Sequence, residues 1–377
     1  MLLESQIVHS GVCTDSATGA ISTPIYQTAT FRHPSLGQST GYDYSRTKNP
    51  TRQAVEQAIA ALERGVAGFA FATGMAAIST VLMLFQPGDH FVVSEDCYGG
   101  TYRVLDKIFS RMGFQVSYVD SSDTDALAAA VRPNTKALFV ETPTNPLMKV
   151  VDLRNLVGLA RMNKLLTIVD NTFLTPYLQR PLELGVDIVL HSGSKYLSGH
   201  NDVVCGLVVA REQELADKIA FLQNALGSIL GPQDSWLLLR GMKTLALRMD
   251  KHNANAQRVA EWLVEHPKVE HVFYPGLAEH PGHTIQTGQS DGHGGMISFQ
   301  VKRAEIAPRV LERVTMLRFA ESLGGVESLI TFPAVQTHAD IPADIRERIG
   351  INDRLLRLSV GVEHPDDIIE DLSQALE

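Results

Sequence analysis

Between about residues 66 and 210, short apolar runs alternate with stretches of helical periodicity. The runs are H-F-V-V-S near 90, Q-V-S-Y-V-D near 115, K-A-L-F-V-E near 136, L-T-I-V-D near 166, D-I-V-L-H near 187 and G-L-V-V-A near 206. They are continuously apolar rather than alternating, so both faces of each strand must be covered. That is the pattern of a mostly parallel sheet between helix layers. Segments such as T-Y-R-V-L-D-K-I-F-S-R-M and D-L-R-N-L-V-G-L-A-R-M supply the helices. Ahead of them, N-P-T-R-Q-A-V-E-Q-A-I-A-A-L-E-R-G predicts an amphipathic helix. Pro50 stands near its first turn, Ala54, Val55, Ala58, Ile59 and Leu62 form one face, and Gly65 closes it.

Residues 1–48 hold no long periodic segment and carry turn formers, as in Thr40-Gly41-Tyr42-Asp43-Tyr44, which predicts an extended arm. Residues 211–265 are mainly helical, with a break at Gly231-Pro232. Beyond them V-E-H-V-F-Y, G-M-I-S-F-Q-V and L-L-R-L-S-V-G-V alternate with helical stretches and predict a second, smaller α/β unit. The expected division is an arm over 1–48, a large domain over 49–246 and a small C-terminal domain over 247–377. No internal repeat or low-complexity segment interrupts this order.

Composition narrows the class of partner. The chain has 377 residues, 44% hydrophobic and 20% charged, with a formal net charge of −9. An acidic balance disfavours nucleic acid and anionic membrane, which select basic faces. The opening M-L-L-E-S-Q-I-V-H-S has Glu4 where a signal peptide would be basic, and no apolar run approaches the roughly 20 residues of a bilayer span. Cys13, Cys97 and Cys205 are sparse and unspaced, which suits a reducing compartment and gives neither a disulfide frame nor a zinc cluster. The expectation is a soluble cytoplasmic protein.

Ligands of open α/β sheets collect beyond the carboxyl ends of the strands. Asp170 ends L-T-I-V-D, Ser192-Gly193-Ser194-Lys195 follows D-I-V-L-H, and Gly74 and Met75 open a helix whose free N–H groups suit an anion. Singly, each has a plain explanation: a cap, a turn, a solvated cation, a glycine before a helix. Neither G-x-G-x-x-G nor G-x-x-x-x-G-K-[ST] occurs. Together, one amine, one carboxylate, two hydroxyls and one helix N-terminus are what pyridoxal 5′-phosphate needs: an amine for its aldehyde, an acid for its ring nitrogen and donors for its phosphate. A desolvated, electropositive site would lower the amine's pKa enough to make it a nucleophile.

D-N-T-F-L-T-P followed by H-S-G-S-K-Y-L-S-G-H resembles the signature of the Cys/Met-metabolism (transsulfuration) family of pyridoxal-phosphate enzymes. P-I-Y-Q-T-A-T-F, Y-D-Y-S-R-T-K-N-P-T-R, F-A-T-G-M-A-A-I, Y-G-G-T-Y-R, E-T-P-T-N-P, R-G-M-K-T-L, E-S-L-G-G-V-E-S-L and R-L-S-V-G-V-E resemble further family blocks in the family's order. The resemblance implies an aspartate-aminotransferase-like (fold type I) α/β large domain, a small C-terminal α/β domain and an N-terminal arm contacting a neighbouring subunit. It makes Lys195 the Schiff-base lysine and Asp170 the partner of the pyridine nitrogen. Ser192, Ser194, Gly74 and Met75 would hold the phosphate, and Tyr98 would stack on the ring and assist proton transfer. Tyr44 and Arg46 would reach the phosphate of the neighbouring subunit, so active sites would be shared within a dimer, typically in a dimer of dimers. Arg357 would fork onto the substrate α-carboxylate, and Asn145 and Ser322 would support the cofactor oxygen and that carboxylate.

The same set serves replacement and elimination. Glu321 stands where family members that handle cystathionine are also acidic, and it would pair with a distal ammonium. R-T-K-N-P-T-R, F-A-E-S-L-G-G-V-E-S and the compact C-terminus resemble bacterial cystathionine γ-synthases that also act as O-acetylhomoserine thiol-lyases. The implied reaction is γ-replacement: an O-acylhomoserine, with acetyl preferred, and cysteine give cystathionine, and sulfide is a second acceptor. The alternatives are elimination, by a γ-lyase or β-lyase, and a non-catalytic binding protein on the same scaffold, against which Lys195, Asp170, Tyr98 and Arg357 all weigh. His280, His283 and His293 have a metal-like H-x-x-H spacing, but a similar H-P-x-H run occurs in the family without a metal, so no metal is expected.

Overall fold

The computed structural model describes residues 1–12, 15 and 17–377. Cys13 lies outside the described residues; Cys97 and Cys205 are free thiols, both buried. β1 (Ala67–Phe71), β2 (His90–Ser94), β3 (Gln115–Val119), β4 (Thr135–Glu141), β5 (Leu166–Asp170), β6 (Ile188–Ser192) and β7 (Gly206–Ala210) form a seven-stranded sheet in the order β1-β7-β6-β5-β4-β2-β3. β2 to β6 pair in parallel, whereas β7 runs antiparallel to β6 and β1. The six predicted runs are all strands. β1 is the addition, a run of five whose second residue, Gly68, hides the apolar pattern.

The continuous hydrophobicity resolves into two interleaved faces of period two. Val92, Val140, Val169, Val189 and Val209 enter a core shared with Val55, Ile59 and Leu62 of the helix Pro50–Glu63. Phe91, Val93, Phe139, Ile168, Ile188 and Val208 enter the opposite core with Ile78 and Val81 of the helix Gly74–Leu82. Each such side chain contributes about 1.5–3 kcal/mol on full burial, so covering both faces is what holds the layers together. Helix Pro50–Glu63 begins as expected, with Pro50 in its first turn and Asn49 capping the N–H groups of Thr51 and Arg52. Its end differs. The left-handed residue is Arg64, at φ 63°, not Gly65. Gly65 is required for space instead: a Cβ there would lie 2.3 Å from Val209 Cγ1 and 2.8 Å from the Ala210 carbonyl.

Among its described residues the arm contains one short helix, Leu3–Val8, and otherwise irregular chain. Ile7 is its only buried apolar side chain among the described residues, so polar ties hold it. Thr51 donates to the Pro24 carbonyl at 2.8 Å, Asn49 to that of Tyr26 at 2.9 Å, and Arg52 to those of Ser45 and Thr47 at 2.7 and 2.9 Å.

β8 (Val269–Phe273), β9 (Met296–Val301), β10 (Arg318–Phe319), β11 (Leu329–Thr331) and β12 (Leu355–Ser359) form a second sheet, ordered β10-β11-β12-β9-β8. All its pairings are antiparallel except β10 with β11. The helix Leu245–Glu265 links the two units. Leu245 and Met249 pack in the first core, while Ala256, Val259, Ala260 and Leu263 pack in the core of the second sheet. We propose that the two units part along this continuous helix, near the division expected at 246–247. Among the described residues no helix is long and apolar enough to cross a membrane.

Candidate active site

The parallel strands β4, β5 and β6 end side by side, and their last residues are Glu141, Asp170 and Ser192. A cavity of about 830 Å³ opens over these ends. The turn after β6 brings Ser194 and Lys195 into its wall, and the helix Gly74–Leu82 presents Gly74 and Met75. Tyr98 enters from the start of the helix Gly99–Lys107, Asn145 from the loop after β4, Glu321 and Ser322 from the loop after β10, and Arg357 from β12. Eleven of the thirteen expected residues therefore share one cavity.

Tyr44 and Arg46 are not in that wall. They stand on the arm, where Arg46 donates to the Asn224 backbone and side-chain oxygens at 2.6 and 2.9 Å and its guanidinium lies 5.7 Å from the Tyr44 ring centre. His280, His283 and His293 lie outside it too. His283 bonds the Pro275 carbonyl at 2.8 Å and stacks on His293 at 5.3 Å. Among the described residues no group of three or more His, Cys, Asp or Glu is placed to hold a metal.

Lys195 Nζ donates to Ser322 Oγ at 2.7 Å. Burial, with the Arg357 cation second, brings its pKa down to about 8, against the opposing pull of Glu321. Ser322 is held at φ 83°, a rare conformation for a residue with a Cβ. It is over-determined by its partners, because its carbonyl accepts from Arg357 Nη2 at 3.0 Å. Arg357 also donates to Asn145 Oδ1 at 2.8 Å and Thr331 Oγ1 at 3.2 Å, and its Nε is buried without a partner. Leu356 and Leu358 face the core of the second sheet while Arg357, between them, faces the cavity. It is a buried guanidinium with no carboxylate paired to it among the described residues, which is a seat for an anion.

Asp170 accepts the N–H of Thr172 at 3.0 Å and also its hydroxyl, both on Oδ1. Burial pushes its carboxyl upward, opposed first by these two donors and then by His191. Behind the sheet, His191 Nε2 bonds Glu63 Oε1 at 2.7 Å with both side chains fully buried, and Asn171 donates to the same oxygen at 3.1 Å. At the helix start, Thr73 caps the N–H of Ala76 at 2.9 Å, so the N–H groups of Gly74 and Met75 are free for an anion. A Cβ on residue 74 would lie 3.2 Å from Ser192 Oγ, in the space between helix and turn. Ser194 Oγ is fixed by the Cys205 N–H at 2.9 Å. A low-pKa amine, a buried carboxylate and a cradle of N–H groups and hydroxyls form a donor set that fits pyridoxal phosphate.

Sequence reasoning missed Glu141, Thr172 and Arg318, all in the cavity wall. Glu141 ends its apolar run as Asp170 ends its own, and the same rule would have found it. Thr172 follows Asp170 at the spacing of a side-chain turn.

The sequence model of the family described as Cys/Met metabolism PLP-dependent enzyme matches residues 4–377. The chain is 53% identical over 375 residues to a cystathionine beta-lyase of Lactococcus lactis subsp. cremoris (strain MG1363), covering 100% of this chain and 99% of that one. It is 51% identical over 374 residues to a cystathionine gamma-synthase/O-acetylhomoserine (thiol)-lyase of Bacillus subtilis (strain 168), covering 99% and 96%. Its fold matches the crystal structure of a cystathionine gamma-lyase from Lactobacillus plantarum complexed with L-serine at a TM-score of 0.97, with 51% identity and coverage of 100% and 98%.

Proposed function

Given that the chain belongs to the Cys/Met-metabolism family of pyridoxal-phosphate-dependent enzymes and is a transsulfuration enzyme, we propose that its reaction is γ-replacement. An O-acylhomoserine, preferably the acetyl ester, and L-cysteine give L-cystathionine and the free acid; with sulfide the product is homocysteine. What supports this reading is the placing of charge along one cavity. A buried guanidinium, Arg357, and an exposed carboxylate, Glu321, line the same cavity as the Lys195 amine, and both act on its charge. That pair of opposite charges suits substrates that carry an α-carboxylate and a second ammonium, the latter arriving from solvent on cysteine.

Bound pyridoxal phosphate supplies an electrophilic carbonyl and a ring that stores the electron pair released at the substrate α-carbon. Lys195, Asp170, Ser192, Ser194 and the N–H groups of Gly74 and Met75 would hold it, with Tyr98 on its ring. Arg357 binds and orients the α-carboxylate through its planar fork. Lys195, with a pKa near 8, spends part of its time as a free amine at neutral pH; it takes the α-proton and carries protons between the α- and β-carbons. Ser322 holds that amine in position between transfers.

Initial rates with O-acetyl-, O-succinyl- and O-phosphohomoserine, each with cysteine or sulfide, set against cystathionine alone, decide the reaction. Cystathionine formation from the acetyl ester should be the fastest. Faster consumption of cystathionine, to pyruvate or 2-oxobutyrate, would make the protein a β- or γ-lyase instead, the reading that the names of the Lactococcus and Lactobacillus relatives favour.

Glu321→Ala should raise the KM for cysteine roughly tenfold, the worth of one hydrogen bond to a charged group, and leave the KM for sulfide within about twofold of wild type. Equal losses for both acceptors would remove Glu321 from the distal contact. The proposal extends to a homodimer, within a tetramer, in which Tyr44 and Arg46 serve the phosphate of the neighbouring subunit. Lys195→Ala and Arg46→Ala proteins should each be impaired, and mixing them with verified subunit exchange should restore part of the activity through hybrid dimers. No recovery would place Arg46 outside the shared site.

A further inference from the structure

Glu141 and Asp170 are register partners at the ends of β4 and β5. Their side chains leave the sheet on one face, with Cβ atoms about 5 Å apart, and both line the cavity. Both are buried, at 6% and 9% exposure. Two carboxyl groups this close and out of water do not both ionise readily, and their partners decide which one does.

Asp170 receives two donors from Thr172, one of them a hydroxyl. Glu141 receives one, the Tyr98 N–H at 3.0 Å, and among the described residues no cationic side chain lies within ion-pairing distance of it. The charged or titratable groups around it are Asp170 on β5, Asp96 and Cys97 on the loop after β2, and Arg357 on β12. Burial first, then Asp170, hold the Glu141 carboxyl well above the usual carboxylate range; Asp96 adds to this, while the Tyr98 N–H and Arg357 oppose it.

We propose that Glu141 is a proton-carrying positioning residue: a neutral carboxylic acid, wedged between Asp170 and the Tyr98 backbone, that leaves Asp170 the single anion on this wall. The proposal rests on the cofactor site for its meaning, since one anion matches one ring-nitrogen cation. A second anion would also favour the protonated form of Lys195 and slow its work as a base. The Tyr98 N–H bond at the same time fixes the start of the helix that carries the ring-stacking tyrosine.

Infrared spectroscopy of wild type, E141Q and D170N, each with and without cofactor, tests this in H₂O and D₂O. At neutral pH wild type should show the carbonyl stretch of a protonated carboxylic acid, moved by deuteration and lost in E141Q. In D170N, where the neighbouring charge is gone, the same band should titrate away at a pH lower by at least about one unit. A wild type without that band, a band undiminished in E141Q, or an unmoved titration in D170N would each overturn the proposal. If E141Q does not fold, the wild-type and D170N titrations still decide it. The cofactor-free spectra keep the Glu141 proton separate from Asp170's service to the ring, which is read from α-proton loss.

Discussion

Lys195→Ala should reduce turnover by at least about a thousandfold, because it removes both the amine that joins the cofactor and the group that carries protons between substrate carbons. Added amines would restore only a fraction, since they lack the tether that holds Nζ at 2.7 Å from Ser322 Oγ. Borohydride reduction, digestion and mass spectrometry should find the cofactor on Lys195 in wild type and nowhere in the variant; full activity in the variant would refute the role. A second signature is thermodynamic and needs no cofactor. The folded-state pKa of about 8 lies below the ordinary 10.5, so between these values the unfolded chain binds more protons. Stability gained from this group therefore rises with pH across that window, and the penalty for burying the cation is complete below about pH 8. Thermal unfolding of cofactor-free wild type against pH should show this alkaline rise, and Lys195→Ala should lack it. An identical slope in both would mean that the amine is not desolvated.

The reason this lysine is legible in the sequence is the same reason it is perturbed in the fold. An apolar run, D-I-V-L-H, delivers the chain to the carboxyl end of a buried sheet, and whatever follows within a short turn is held over that end. Asp170 is legible by the same rule. Glu141 obeys it too, but its run leads into E-T-P-T-N-P, whose prolines and asparagine draw attention away from the carboxylate in front of them. β10 and β11, at two and three residues, are beyond reach of any periodicity, and β1 is masked by its glycine. Arg357 is harder. Its strand reads as apolar with one cation in it, and only the fold shows that Asn145, Ser322 and Thr331 gather around that cation from three other segments. Long-range convergence of this kind leaves no local trace. Tyr44 and Arg46 carry even less signal, because nothing in one chain gives an arm arginine a target beyond Asn224.

Asp170→Asn should keep the fold and lose the chemistry. Asparagine preserves the shape and an Oδ1 that still accepts from the Thr172 N–H and hydroxyl, so the variant should purify as a folded protein and bind cofactor, though more weakly. It removes the negative charge that would keep a bound pyridine nitrogen protonated, and with it the ring's capacity to take up electrons. An interaction of this kind, made chiefly in the transition state, is worth about 10²–10³ in rate. The step to measure is exchange of the substrate α-proton with D₂O, followed by NMR on an amino acid with no γ-leaving group, because later steps and product release then drop out. Exchange should slow by that factor while Arg357 still binds the carboxylate and KM changes by less than about threefold. If Asp170 is merely a turn cap, a role that asparagine also fills, exchange proceeds at the wild-type rate. The buried acid also sets a limit on pH. Burial makes the Asp170 anion costly, so in the cofactor-free protein it should take up a proton at a higher pH than an exposed aspartate does. A ring cation would oppose that uptake. Cofactor affinity should therefore weaken more steeply as pH falls in wild type than in Asp170→Asn, where the protonation of Lys195 remains but no carboxylate charge is left to lose.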